Sequence, residues 1–204
     1  MSLRRAQAEG PAGGPAARLY LVRHAAVTVR PDQPSEQWHL SFEGRQAAEA
    51  LAEEPFWAGL GGLHTSPEPK ATATAQRIAA RHGLPIRIER DLREVEGRVW
   101  IAEGFQERVR RYLTGEPIDS WEPREAAQTR VRGCIDGIAA RSEGSEVGVV
   151  SHGLALTLYL GDLLGLDATA AYQLWTGIGL PDVAVVDLHS RRLEREFRDA
   201  GAVK

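Results

Sequence analysis

A short apolar segment near the start of the chain ends in two adjacent basic residues. The segment "LYLVRHAAV" covers residues 19–27, and the part from Leu19 to Arg23 has the unbroken apolar run of a strand buried on both faces. Such strands belong to sheets that are covered by helices on either side. The segment therefore favours a layered fold and delivers Arg23 and His24 to the end of a core strand.

The composition is that of a folded domain of ordinary size. The chain has 204 residues, of which 43% are hydrophobic and 26% charged, close to the average of globular proteins. A net charge of -3 argues against an extended nucleic-acid surface. Cys134 is the single cysteine, so no internal disulfide can form, which fits a cytoplasmic location. No apolar run approaches the roughly 18 residues of a membrane span, so we expect no membrane partner.

The first residues differ in character from the rest. The segment 1–17 is rich in Gly, Pro and Ala and lacks the apolar centre of a secretory signal, so we expect a disordered tail there. The remaining residues, 18–204, contain no internal repeat and are interpreted as one domain.

Strand-like and helix-like segments alternate along this domain. Strands are predicted over 18–23, 61–66, 84–90 and 145–151, with two more strands and a turn over 183–197. Helices are predicted over 41–54, 69–83, 102–113, 123–142 and 153–165. The alternation predicts a three-layer α/β/α fold with a mostly parallel central sheet and an antiparallel hairpin at one edge.

Three of the predicted strands end in chemically capable residues. The first ends in Arg23 and His24, the second in Ser66 with Lys70 just beyond it, and the third in His152. Because the carboxyl ends of parallel strands share one edge of the sheet, we expect these side chains to converge. Two helix N-termini at the same edge would add to the attraction for an anion.

Several cations at one site suit a phosphomonoester. Cationic donors stabilise the charge on a transferring phosphoryl group, and a neutral imidazole can attack phosphorus. Arg23, Lys70 and His152 should favour the neutral form of His24. We find no His-x-x-x-His pair and no cysteine cluster, so the sequence predicts no metal and no cofactor.

The leaving alkoxide also needs a proton donor. The segment "RDLREVEG", residues 90–97, follows a predicted strand and offers Asp91, Glu94 and Glu96. A carboxyl near a phosphate dianion is driven towards its protonated form, as a general acid requires. Glu94 is the preferred candidate, although chemistry alone separates it only weakly from Glu96.

Five segments together resemble the histidine phosphatase superfamily, whose members are phosphoglycerate-mutase-like. They occur in the order typical of that family and extend over roughly residues 18 to 190. The segments are "LVRHA", "LSFEGRQAAEAL", "TSPEPKATATA", "LREVEGRVW" and "VVSHG".

The resemblance implies a role for each candidate. His24 would be the phosphorylated nucleophile and Glu94 the proton donor. Arg23, Lys70 and His152 would hold the phosphoryl group of a small phosphorylated substrate.

The chain departs from the family pattern at four positions. The glycine usual after the first histidine is Ala25, and the usual threonine and asparagine of that loop are Val27 and Arg30. Arg30 is a candidate replacement donor to the phosphate. The second pocket arginine is Lys70, which keeps the charge but loses the bidentate fork.

Three functions are therefore weighed. A phosphatase with a phosphohistidine intermediate is favoured because both histidines and the acid are present. A non-catalytic phosphate-binding module is the alternative, motivated by Ala25, Val27 and Lys70. A phosphoglycerate mutase is disfavoured, because mutases of this family carry a long insertion between the acid and the second histidine, here only the span from Glu94 to His152.

Substrate specificity is expected from a lid over the site. The segment 95–125 is interpreted as this lid, and its aromatic residues either contact an organic group of the substrate or pack within the lid itself. These residues are Trp100, Phe105, Tyr112 and Trp121.

Overall fold

The computed structural model describes residues 18–97, 104–142 and 144–198. The predicted tail, 1–17, and Trp100 of the predicted lid lie outside these residues. In the described part of the chain, no helix is both long and apolar enough to cross a membrane.

Six strands in this part of the chain form one sheet with the order β3-β2-β4-β1-β5-β6. The strands β3, β2, β4 and β1 are parallel, whereas β5 is antiparallel to both β1 and β6. The structure thus confirms a mostly parallel sheet with an antiparallel edge hairpin. The strands are β1 (Arg18–Arg23), β2 (Leu60–Thr65), β3 (Ile86–Ile88), β4 (Glu146–Ser151), β5 (Asp182–Asp187) and β6 (Arg192–Arg195).

Six α-helices are described. They are α1 (Phe42–Ala52), α2 (Pro69–His82), α3 (Phe105–Leu113), α4 (Arg124–Arg141), α5 (Gly153–Leu164) and α6 (Ala168–Gly177). Five of them were predicted, but α6 was not, and β3 is shorter than its predicted range. A signal for α6 was present: the Asp167 side chain accepts a hydrogen bond from the N–H of Ala170 at 2.8 Å, the usual N-cap arrangement.

The sheet is buried on both faces, as the sequence of β1 predicts. Leu19 and Leu21 belong to one apolar cluster together with residues of α4 and α5. Tyr20 and Val22 point to the other face and belong to a second cluster with residues of α2. Successive strand residues face opposite sides, so β1 needs apolar residues at every position. This explains why the strand has no charged residue between Arg18 and Arg23.

The loop that follows β1 is held against the start of α1. Ser41 caps the helix by accepting the N–H of Gly44 at 3.0 Å, and its own N–H donates to the carbonyl of Ala26 at 3.0 Å. A Cβ atom at Gly44 would lie 2.0 Å from that carbonyl oxygen. Glycine at this position therefore permits the close approach that positions the loop after His24.

Replacing Gly44 by alanine should destabilise the protein, although alanine is the better helix former. The backbone of Ala26 must move to relieve the overlap, for which we expect a loss of about 1–3 kcal/mol in the free energy of unfolding. Gly133→Ala is the matched control, because Gly133 lies within α4 with no atom near its Cβ position. That change should stabilise by about 0.5–1 kcal/mol. Urea unfolding of both variants measures the difference, and an equal gain in both would contradict the proposed overlap.

Candidate active site

Three parallel strands bring their polar ends to one edge of the sheet. In the register of β1 and β4, Arg23 lies beside Ser151, and the N–H of His24 donates to the carbonyl of Ser151 at 3.0 Å. On the other side of β4, the N–H of Ser66 donates to the carbonyl of Val150 at 3.0 Å. The structure therefore brings the three predicted strand ends together.

A cavity of about 810 Å³ opens at this edge. Four residues predicted from the sequence line it, namely Arg23, His24, Lys70 and Glu94. His152 is fully buried, and its ring centroid lies 5.1 Å from that of His24 in an edge-to-face arrangement. Five of the six residues selected from the sequence thus lie at one site.

The His24 ring is held in one orientation. Its Nδ1 atom lies 2.8 Å from the carbonyl oxygen of Ala25, and because a carbonyl can only accept, Nδ1 donates. In the neutral ring, the lone pair is then on Nε2. Burial, followed by the charges of His152, Lys70 and Arg23, holds the pKa of His24 well below its usual value of 6.5. The imidazole is therefore neutral and nucleophilic at neutral pH.

We expect His24 to remain unprotonated as the pH falls through 6.5, where an ordinary histidine is half protonated. The folded protein then binds fewer protons than the unfolded chain below that pH, so its stability decreases there as the pH falls. Nitrogen-15 NMR of labelled histidines measures the titration directly, and His24→Asn identifies the resonance. A midpoint at or above 6.5 would contradict this assignment.

Arg23 lies against the first turn of α5. Its guanidinium donates to the carbonyl of Ile178 at 2.5 Å, which fixes one side of the group. A Cβ atom on Gly153 would lie 3.1 Å from the guanidinium carbon. The glycine after His152 therefore makes room for Arg23 next to the cavity.

Glu94 occupies the N-terminus of α5. Its carboxylate accepts the N–H of Ala155 at 2.9 Å, that of Leu154 at 3.2 Å and that of Val95 at 3.0 Å. The expectation that this helix end would present free N–H groups to a bound anion is thus wrong for two of those groups. The carboxylate of Glu94 uses them instead, because a buried acid needs hydrogen-bond donors.

A buried acid that the sequence analysis did not select lies between the two halves of the site. The Glu68 carboxylate contacts the ammonium of Lys70, accepts the N–H of Glu94 at 2.8 Å and lies 3.3 Å from Nε2 of His152. Its side chain is only 9% exposed. The signal in the sequence was the spacing of Glu68 and Lys70 around Pro69 at the start of a helix.

The ammonium of Lys70 is hydrogen-bonded to other groups of the site. Its ammonium donates to Glu68 and, at 2.7 Å, to the carbonyl of Ser35. An ammonium has three N–H donors, so one remains for a ligand. The cation predicted from the sequence is present in the cavity, but it forms one half of a buried ion pair.

Breaking this ion pair from one side should be costly. Glu68→Leu or Lys70→Met alone leaves a buried charge without its partner, and we expect each to lower the free energy of unfolding by about 3–5 kcal/mol. The double variant should lose much less than the sum of the two, because neither charge remains.

Urea unfolding of the four proteins gives the coupling energy between the two side chains. The exposed Glu107–Arg110 pair is the control, with both side chains more than half exposed. Its coupling should be at most about 0.5 kcal/mol. Additive losses for Glu68 and Lys70 would show that the pair does not act as a unit.

The loop positions that depart from the family pattern have separate environments. Ala25 is fully buried, and its N–H donates to the hydroxyl of Thr74 at 3.1 Å. Val27 lines the cavity. Arg30 is exposed and is not among the residues that line the cavity, so its phosphate contact stays a prediction from the sequence.

The described part of the predicted lid contributes one aromatic residue to the cavity, Phe105. Tyr112 and Trp121 are instead buried against each other, with ring centroids 5.2 Å apart. For these two, the packing interpretation is correct. The unpredicted helix α6 supplies Tyr172 and Trp175 to the cavity in addition.

The sequence of this chain is similar to those of known phosphatases and of probable phosphoglycerate mutases. The model of the histidine phosphatase superfamily (branch 1) matches residues 19–195. Phosphoserine phosphatase 1 of Hydrogenobacter thermophilus is 27% identical over 190 residues, covering 86% of this chain and 88% of the relative. A probable phosphoglycerate mutase, GpmB, of Shigella boydii is 28% identical over 170 residues, covering 77% and 79%.

Solved structures agree with the fold. A mycobacterial glucosyl-3-phosphoglycerate phosphatase in complex with VO3 aligns with a TM-score of 0.75 and 25% identity, covering 91% of this chain and all of that one. A phosphoserine phosphatase of Entamoeba histolytica, in a complex with phosphoserine, aligns with a TM-score of 0.72 at 18% identity, covering 89% and 96%.

Proposed function

Because the chain belongs to the histidine phosphatase superfamily, we propose that it is a metal-independent phosphomonoester hydrolase that forms a phosphohistidine at His24 and uses Glu94 as the proton donor. The observation that carries the proposal is the pairing of the two histidine rings, 5.1 Å apart, at a cavity that Arg23 and Lys70 also line. Similar phosphatases among the relatives support it.

In the first step, Nε2 of His24 attacks phosphorus and the bond from phosphorus to the ester oxygen breaks. Glu94 gives its proton to the leaving alkoxide, which departs as an alcohol. Arg23, Lys70 and His152 stabilise the charge on the equatorial phosphoryl oxygens. The product of this step is the phosphohistidine.

In the second step, a water molecule attacks the phosphorus of the phosphohistidine. The Glu94 carboxylate accepts a proton from this water, and the bond between phosphorus and Nε2 breaks. Inorganic phosphate leaves, and His24 returns to its neutral form. Glu94 thus acts as acid and then as base, as microscopic reversibility requires.

Lys70 limits the number of hydrogen bonds that the proposed phosphate site can donate to a phosphate. With two of its donors engaged by Glu68 and Ser35, it supplies one hydrogen bond to a phosphate oxygen. A bidentate arginine would supply two in one plane. Arg23 is therefore the stronger of the two clamps.

Hydrolysis is favoured over phosphoryl transfer between positions of one substrate. The span from Glu94 to His152 lacks the long insertion expected of mutases in this family. The substrate is proposed to be a small phosphorylated molecule, and a cytoplasmic location rests on the single cysteine, Cys134.

Trapping the phosphoenzyme tests the mechanism. After brief exposure to p-nitrophenyl phosphate and rapid quenching at alkaline pH, mass spectrometry should place phosphate on His24. The adduct should be lost in acid, because phosphohistidine is acid-labile. His24→Ala should form no adduct and should lose at least about 10³-fold in kcat, as expected when a nucleophile is removed. An active enzyme without this adduct, and with full activity in His24→Ala, would refute the phosphohistidine mechanism.

A second arm of the same experiment concerns the proton donor. Glu94→Gln should reduce kcat by about 10²–10⁴-fold for an alkyl phosphate and much less for p-nitrophenyl phosphate, whose leaving group needs little protonation. Glu96→Gln is the matched control, because Glu96 is exposed and paired with Arg93 at 2.5 Å. If Glu96→Gln shows the leaving-group dependence and Glu94→Gln does not, the acid has been assigned to the wrong residue.

A further inference from the structure

The sides of the cavity differ in chemical character from the part of the cavity at the strand ends. The predicted phosphate-binding side chains lie at the strand ends, whereas the residues contributed by α3 and α6 are largely aromatic. Phe105, Tyr172 and Trp175 form a continuous surface, which we call the aromatic wall. The ring centroids of Phe105 and Trp175 are 6.1 Å apart, and those of Tyr172 and Trp175 are 5.9 Å apart.

Further apolar residues line the same cavity and are open to solvent. Val29 and Leu180 line the cavity and are 42% and 40% exposed, which is unusual for large apolar side chains. They are two of only four large apolar side chains so exposed in the described residues. Trp38 also lines the cavity. Apolar surface left open next to a reactive centre indicates a site for an apolar group.

The described residues of the cavity include no cation beyond those of the proposed phosphate site. Among the described residues that line it, Arg23 and Lys70 are the basic side chains, and both belong to the proposed phosphate site. Lys70 is also partly neutralised by Glu68. The acidic residue at the rim, Glu107, is paired with Arg110, so this pair adds no net positive charge to the cavity. Among the described lining residues, a carboxylate on the organic part of a substrate would therefore find no cation outside the phosphate site to offset its loss of water.

From these observations we infer that the substrates are phosphomonoesters whose alcohol part carries an uncharged aromatic or bulky apolar group. The inference rests on the proposed hydrolase function, and it excludes as preferred substrates the phosphorylated carboxylates, such as phosphoserine or a phosphoglycerate. The phosphoryl group binds at the strand ends, and the apolar group packs against the aromatic wall. Offset stacking and burial of apolar surface stabilise that contact.

Three primary alkyl phosphates of similar leaving-group chemistry test the inference. We expect kcat/KM to be highest for 2-phenylethyl phosphate, intermediate for ethyl phosphate and lowest for O-phosphoserine. The first and last should differ by at least about 10²-fold, since both the apolar contact and the unpaired carboxylate contribute. A preference for O-phosphoserine over ethyl phosphate would overturn the inference.

Variants of the wall separate recognition from chemistry. Trp175→Ala should lower kcat/KM for 2-phenylethyl phosphate, mainly through KM, by about 10-fold or more relative to kcat/KM for ethyl phosphate. Phe42→Ala is the matched control, because Phe42 is 61% exposed but does not line the cavity. Equal losses for both substrates in Trp175→Ala would count against a recognition role.

A variant that gains activity also tests the inference, because misfolding cannot produce a gain. Val29→Arg adds a cation at an exposed position of the cavity, so it should raise the ratio of kcat/KM for O-phosphoserine to kcat/KM for ethyl phosphate about 10-fold. No rise in a folded Val29→Arg protein would contradict the claim that a missing cation excludes carboxylates at this edge.

Binding measurements distinguish failure of this inference from failure of the hydrolase proposal. Calorimetry with 3-phenylpropylphosphonate and 4-phosphonobutyrate, which resist hydrolysis, reports recognition alone. Tighter binding of the phenyl compound, without turnover of any ester, would refute the hydrolase but retain the ligand class. Turnover of the esters with tighter binding of the carboxylated phosphonate would retain the hydrolase and refute the ligand class.

Discussion

The site depends on the backbone register between β1 and β4. A hydrogen bond from the N–H of His24 to the carbonyl of Ser151 continues the ladder of these strands by one residue. As a result, His24 and His152 leave neighbouring strands at the same height, with their rings 5.1 Å apart. A shift by one residue would turn each side chain to the opposite face of the sheet. Burial of the apolar side chains of β1 fixes this register and therefore fixes the positions of the two histidines.

Charge at this edge is balanced within a small buried volume. Arg23 and Lys70 favour a bound anion, whereas Glu68 and Glu94 oppose it, and all four are tied to other groups. Glu68 joins Lys70 to the backbone of Glu94, so the proposed clamp and the proposed acid are connected through one carboxylate. Preorganisation of this kind fixes geometry before the ligand arrives, which is how such sites reduce the cost of reorganisation.

Much of the fold was predictable because its signals are local. The apolar run of β1, the Ser41 cap of α1 and the terminal Gly83 of α2 each act within a few residues of sequence. The helix α6 was missed although Asp167 marks its start, and this omission concealed two of the aromatic residues that line the cavity, Tyr172 and Trp175. Of the aromatic residues of the predicted lid in the described part of the chain, only Phe105 lines the cavity; the other aromatic residues that line it are Trp38 and, from α6, Tyr172 and Trp175.

The sequence by itself determined the six strands, five of the described helices and the positions of Arg23, His24 and His152, because strand ends in a parallel sheet must meet at one edge. Only the tertiary structure decided what surrounds them. That Glu68 contacts Glu94 and His152, that Glu94 takes the N–H groups of α5, and that Arg30 stays outside the cavity depend on contacts between segments far apart in the chain. Such contacts follow from three-dimensional packing, in which a buried charge selects whichever partner lies nearest, and no spacing in the sequence specifies that partner.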